Sequence, residues 1–174
     1  MEPEMIKRFL EIYPPAGELT KPDETLLNFG RQMLPPEILY LWENYGFGDY
    51  GNGLLKVVDP RDYMGSLYTW LGGQDFNKIP ILVTAFGDIF YFRRLDETEN
   101  DISLLNIHFR RIDLCTYSYR EFLKIISLRR ISRRACSGRA CSMRLWTSSG
   151  LFAMRKYSSL FRRWHWAEGR TSST

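Results

Sequence analysis

Apolar positions at helical spacing open the chain: Ile6, Phe9, Leu10 and Tyr13 predict a first helix over Met5 to Tyr13, stopped by Pro14 and Pro15. Asp23 offers a side-chain cap for a second helix from Glu24 to Met33. Pro35 and Pro36 then open a third, whose apolar face is Ile38, Leu39, Leu41 and Trp42, with Gly46 where a C-terminal cap belongs. From Tyr45 to Gly53 four glycines alternate with aromatic and polar residues, a pattern that predicts a structured loop rather than a regular element. Leu54 to Val58 reads as a strand. Asp59 followed by Pro60 marks a helix start, with Gly72 and Gly73 beyond its end near Trp70 or Leu71.

The periodicity then changes. Ile79 to Phe86 and Asp88 to Arg93 are β-branched and aromatic runs separated by Gly87, which predicts an antiparallel hairpin. An acidic connection from Asp96 to Asp101 should join its second strand to a paired strand beginning near Ile102. Ile102 to Cys115 then supplies one long strand or two short ones, and Tyr117 to Ile126 a closing helix. No internal repeat is present. The expected fold is α+β, a mostly antiparallel sheet with N-terminal helices and a further helix packed against it.

Composition changes this picture mainly at the C-terminus. Residues 1–128 hold 13 Lys and Arg against 19 Asp and Glu, whereas residues 129–174 hold 11 against one. The net charge of +4 is thus the sum of an acidic body and a basic tail, and the expected division is a domain over 1–127 followed by a tail over 128–174. The start of the chain lacks the pattern of a signal peptide, and no apolar stretch approaches the length that spans a bilayer. Cys115, Cys136 and Cys141 form no dense framework, which fits a reducing compartment, so a cytoplasmic location is expected.

Three groups of segments carry a family resemblance. They are Leu34 to Trp42 (Leu-Pro-Pro-Glu-Ile-Leu-Tyr-Leu-Trp), the glycine-rich Tyr45 to Leu54, and Val58 to Tyr63 (Val-Asp-Pro-Arg-Asp-Tyr). Leu67 to Leu71, Thr84 to Phe90 and Ile102 to His108 extend it. From Leu34 to Phe122 the chain resembles the GAD-like domain and its close relative, the C-terminal domain of type VI secretion immunity proteins against DNase toxins. The resemblance implies a cytoplasmic, non-enzymatic protein that binds and neutralises a toxin, and it brings no catalytic residues and no cofactor.

The tail departs from that family, whose members end near a Phe-Val-Pro-Ala-Leu-Ala-Leu-Gly-Gly segment. Codons permitted for Phe161 to Arg170, read from the last base of the Leu160 codon, encode Val-Pro-Ala-Leu-Ala-Leu-Gly-Gly-Arg. Residues from about Ser127 onward are therefore expected to be an out-of-frame translation, a tail that makes few contacts with the body. The competing reading is a nucleic-acid arm, in which arginines meet phosphates and Trp146, Trp164 and Trp166 stack on bases.

Bland readings compete with other chemistry. Cys136, Cys141 and His165 lack the spacing of a zinc site, and His108 is expected to be a hydrogen-bonded structural residue in a strand. The glycine-rich segment lacks the Gly-Lys-Ser/Thr ending of a phosphate loop. Its aromatic residues Trp42, Tyr45, Phe47 and Tyr50 should pack on the sheet with one or two left exposed. No triad, carboxylate pair or metal set points to an enzyme. The expected partner is a cognate toxin, a nuclease with a basic face, rather than a membrane or nucleic acid. The residues expected to touch it are Asp96, Glu97, Glu99 and Asp101 of the acidic loop, together with Tyr45, Phe47 and Tyr50. The alternative is a ligand- or protein-binding module of the same family without a toxin.

Overall fold

A computed structural model describes residues 3–128. The tail expected to be out of frame, its tryptophans and the Cys136, Cys141 and His165 set lie outside these residues. Helix α1 (Glu4–Ile12) leads into β1 (Pro15–Thr20), α2 (Glu24–Met33) and α3 (Pro36–Asn44). Strands β2 (Phe47–Tyr50) and β3 (Leu55–Val57) precede α4 (Pro60–Leu71). Four strands follow, β4 (Lys78–Thr84), β5 (Ile89–Arg94), β6 (Asn100–Asn106) and β7 (Arg111–Thr116), and α5 (Tyr119–Leu128) comes last. The seven strands form one antiparallel sheet in sequence order, β1 to β7.

Local chemistry sets the helix ends. Asp23 accepts a hydrogen bond from the Leu26 N–H at 2.8 Å, and Asp59 one from the Arg61 N–H at 2.9 Å, satisfying donors that the first helical turn leaves free. Pro60 opens α4 and Gly72, at φ 77°, ends it. Arg61 reaches Asp59 at 2.7 Å and Asp23 at 2.6 Å, tying the starts of α4 and α2 together. Those two carboxylates hold its guanidinium above the usual arginine range.

The sheet has helices on both faces, which explains why β4 and β5 read as near-continuous apolar runs rather than alternating ones. On one face Phe90, Phe92, Ile102 and Leu104 meet Phe9, Trp42, Phe122 and Ile126 from α1, α3 and α5. On the other, Val83, Ile89, Tyr91 and Leu105 meet Leu67 and Tyr68 of α4. The hairpin through Gly87 forms as expected. So does the pairing of β5 with β6, in a register of Arg93 opposite Asp101 and Phe92 opposite Ile102. Ile102 to Cys115 resolves into two strands, with His108 in the turn between them rather than in a strand; its Nε2 donates to the Phe86 carbonyl at 2.8 Å.

Two strands were not foreseen. β1 lies where the chain follows Pro14, and β2 lies inside the glycine-rich segment whose composition predicts a loop. The glycines there serve close approach rather than breaking structure. A Cβ at Gly48 would stand 2.5 Å from the Leu19 side chain, and one at Gly46 would stand 2.6 Å from the Thr20 carbonyl oxygen. At Gly46 the obstacle is backbone, so β1 can pair this closely beside β2 because that position carries no side chain.

Asp88, at the Gly87 turn, is buried, and burial raises its carboxyl above the usual range despite a hydrogen bond from the Ile107 N–H at 3.3 Å. A carboxyl raised on folding subtracts stability as pH climbs from the unfolded-state value through the folded-state one, and subtracts nothing in strong acid. Asp88→Asn keeps an oxygen for Ile107 and removes the titration. It should raise the thermal midpoint at pH 7, with the gain vanishing towards pH 3. A midpoint unchanged at pH 7, or raised equally at both pH values, would count against a buried anion at this position.

Candidate partner-binding surface

The acidic hairpin between β5 and β6 is exposed and ordered by its own backbone. Asp96 Oδ1 accepts from the N–H groups of Thr98 and Glu99, both at 2.7 Å, which hold its carboxyl below the usual range. Leu95 N–H donates to the Glu99 carbonyl at 2.9 Å and closes the loop. Glu97 and Glu99 project beside it without an ion pair among the described residues.

Asp101 does not belong to that surface. It sits on β6 with no exposure, its Oδ2 2.5 Å from Arg93 Nη2 and its Oδ1 accepting from Ser103 Oγ at 3.0 Å. The register places it opposite Arg93, so the sheet consumes its charge. Phe47 and Tyr50 are likewise core residues. Phe47 stands edge-on to Trp42 at 5.2 Å; Tyr50 packs on Phe9 and donates to the Gly46 carbonyl at 2.8 Å. Burial pushes the Tyr50 phenol up. Of the aromatic residues expected to face a partner, Tyr45 alone stays half-buried at the end of α3, and strands β3 and β4 separate β2 from the acidic hairpin.

A second acidic surface has no counterpart in the sequence reading. Helix α4 covers the centre of its face of the sheet and leaves β1 to β3 open, where a groove of about 620 Å³ is lined by Glu18, Asp49, Lys56, Asp59, Asp62 and Tyr63. Asp49 and Lys56 are directly opposite one another on β2 and β3. Asp59 is occupied by Arg61, whereas Glu18, Asp49 and Asp62 form no ion pair within 4 Å among the described residues. One signal was present in the sequence but was absorbed by another role, Asp59 as a helix cap; Asp62 was legible only as part of the Val58 to Tyr63 segment. Glu18 and Asp49 could not be placed while β1 and β2 were unseen.

Chemically, both surfaces offer carboxylates to cations or to hydrogen-bond donors. Among the described residues no group of three or more His, Cys, Asp or Glu side chains is placed to hold a metal ion, and no helix is long and apolar enough to cross a membrane. A family model described as the GAD-like domain matches residues 4–106. The chain belongs to the GAD-like domain family. The matched span begins at α1 and ends with β6, so the GAD-like match takes in β1, α2 and the whole acidic groove as well as the hairpin. It starts some way before Leu34, where the resemblance noted from sequence segments began. No curated protein matches this GAD-like chain.

Proposed function

We propose that this protein is an immunity protein that binds a cognate bacterial toxin, a nuclease delivered by type VI secretion, and neutralises it in the cytoplasm by occlusion, with no chemistry of its own. The observation carrying this reading is the open groove on β1 to β3, where Glu18, Asp49 and Asp62 stand without ion-pair partners among the described residues. A nuclease must present a cationic face to its phosphate substrate. An acidic groove on an otherwise acidic body complements such a face and speeds encounter with it. Glu97 and Glu99 add to the field that steers the approach, while membership of the GAD-like family agrees with a binding role.

The test is co-expression with the protein encoded by the neighbouring gene, followed by affinity measurement on the full chain. Glu18→Lys, Asp49→Lys and Asp62→Lys together should weaken the complex by about 10-fold or more, and the parent affinity should fall with added salt. Recovery of no basic partner, or an affinity indifferent both to these charges and to salt, would remove the support for this reading.

A further inference from the structure

The two edges of the sheet are built differently. Strand β1 is blunted: it opens on Pro15, carries Gly17 at φ 77°, exposes Glu18 and slips register against β2 between Ala16 and Thr20. These are the devices by which natural sheets discourage another strand from adding. Strand β7 carries no proline, no glycine and no register shift over Arg111 to Leu114, which pair in unbroken register with Asn106 to Ser103 of β6, the shift coming only beyond, at Ile102; the two charges it does carry, Arg111 and Asp113, are of opposite sign. Among the described residues no strand pairs with the outer side of β7, and Ile112 on it is 47% exposed.

The charges on this strand make it its own complement. Arg111 and Asp113 are two residues apart and therefore share a face, their Nε and Oδ2 atoms 2.8 Å apart. Ile112 lies on the opposite face, beside Leu105 on the side that α4 covers. If a second β7 is laid antiparallel to the first about a two-fold axis through Ile112, Arg111 of each copy falls opposite Asp113 of the other. The in-strand ion pair is thereby replaced by two cross-strand pairs, with no charge left over. On the other face Ile112 meets its own counterpart, extending the apolar row begun by Leu105. Such a contact is isologous and closes at two.

The geometry points to a second copy of this chain as the partner of β7, forming a dimer in which two seven-stranded sheets run on as one. A single strand pair buries less than a standard protein interface, so the association is concentration-dependent rather than permanent. It uses the edge opposite the acidic groove on β1 to β3 and leaves that groove open.

Sedimentation velocity on the full chain over a wide concentration range tests this, with circular dichroism to establish that each variant is folded. The parent should pass from monomer to dimer as concentration rises. Asp113→Arg places two arginines opposite two arginines and should raise the dimer dissociation constant about 10-fold or more; Arg111→Asp should do the same with like negative charges. Mixing these two single variants should restore association, because each supplies the charge that the other needs. The double exchange, Arg111→Asp with Asp113→Arg, should dimerise with itself. A parent that stays monomeric throughout, a dimer that Asp113→Arg leaves unchanged, or folded single variants that fail to associate when mixed would each overturn the proposal.

Discussion

Gly46→Ala is expected to destabilise the protein by about 3 kcal/mol, seen as a lower denaturant midpoint with an unchanged slope. Two effects add at this position. The backbone stands at φ 103°, outside the regions that side-chain-bearing residues adopt comfortably. The added Cβ would also lie 2.6 Å from the carbonyl oxygen of Thr20, a backbone atom in β1 that cannot swing aside as a side-chain tip could. Relief requires β1 to lift from β2 near the Thr20–Phe47 pair. Gly53 is the natural control: it too has positive φ, at 76°, but a Cβ there meets nothing within 4 Å. Gly53→Ala should therefore show the backbone cost alone, about 1 kcal/mol. Equal losses at the two glycines would mean that the close approach of Thr20 carries no weight.

Arg93→Ala should cost a similar amount, about 3 kcal/mol at neutral pH, because it strands the carboxylate of Asp101. Asp101 has no exposure, and once Arg93 is gone Ser103 remains as its hydrogen-bonding side chain among those described. A buried anion without its counter-charge stays desolvated, which is the source of the loss. Replacing both partners, with Arg93→Met and Asp101→Leu, should recover much of the loss, since no charge is then left without a counter-charge. Chemical denaturation at pH 7 separates these cases. A single variant as stable as the double one at pH 7 would show that the pair is dispensable.

How far the sequence anticipated these features depended on whether the determining signal was local. The caps at Asp23 and Asp59, the stop at Gly72 and the hairpin through Gly87 arise from residues within a turn of the feature they produce, and all were legible. β2 was not, because the glycine that precedes it answers to a distant neighbour: Gly46 closes on the Thr20 carbonyl of β1, which nothing near Gly46 announces. The same non-locality misassigned Asp101. A run of acids between two strands reads as a solvated loop until the register puts Arg93 across from it, and register is fixed by pairing rather than by composition. The groove failed for both reasons at once. Its lining comes from β1, β2, β3 and the start of α4, two of them unforeseen strands, and Asp59 already had a sufficient local explanation as a helix cap.

The order of the sheet bears on how the protein is made. Each strand pairs with the one before it in the chain, so a ribosome emitting this polypeptide releases every strand after the neighbour it needs, and pairing can keep step with synthesis. Among the described elements, the last one breaks this rule. Helix α5 must return to α1, where Tyr13 donates from its hydroxyl to the Ile126 carbonyl at 3.0 Å across 113 residues of sequence. Until α5 emerges, Phe9, Trp42 and Phe90 lack the cover that Phe122 and Ile126 provide in the shared core. The nascent sheet therefore keeps part of that face uncovered, at risk of sticking to other chains, until α5 arrives to join α1 and α3 on it.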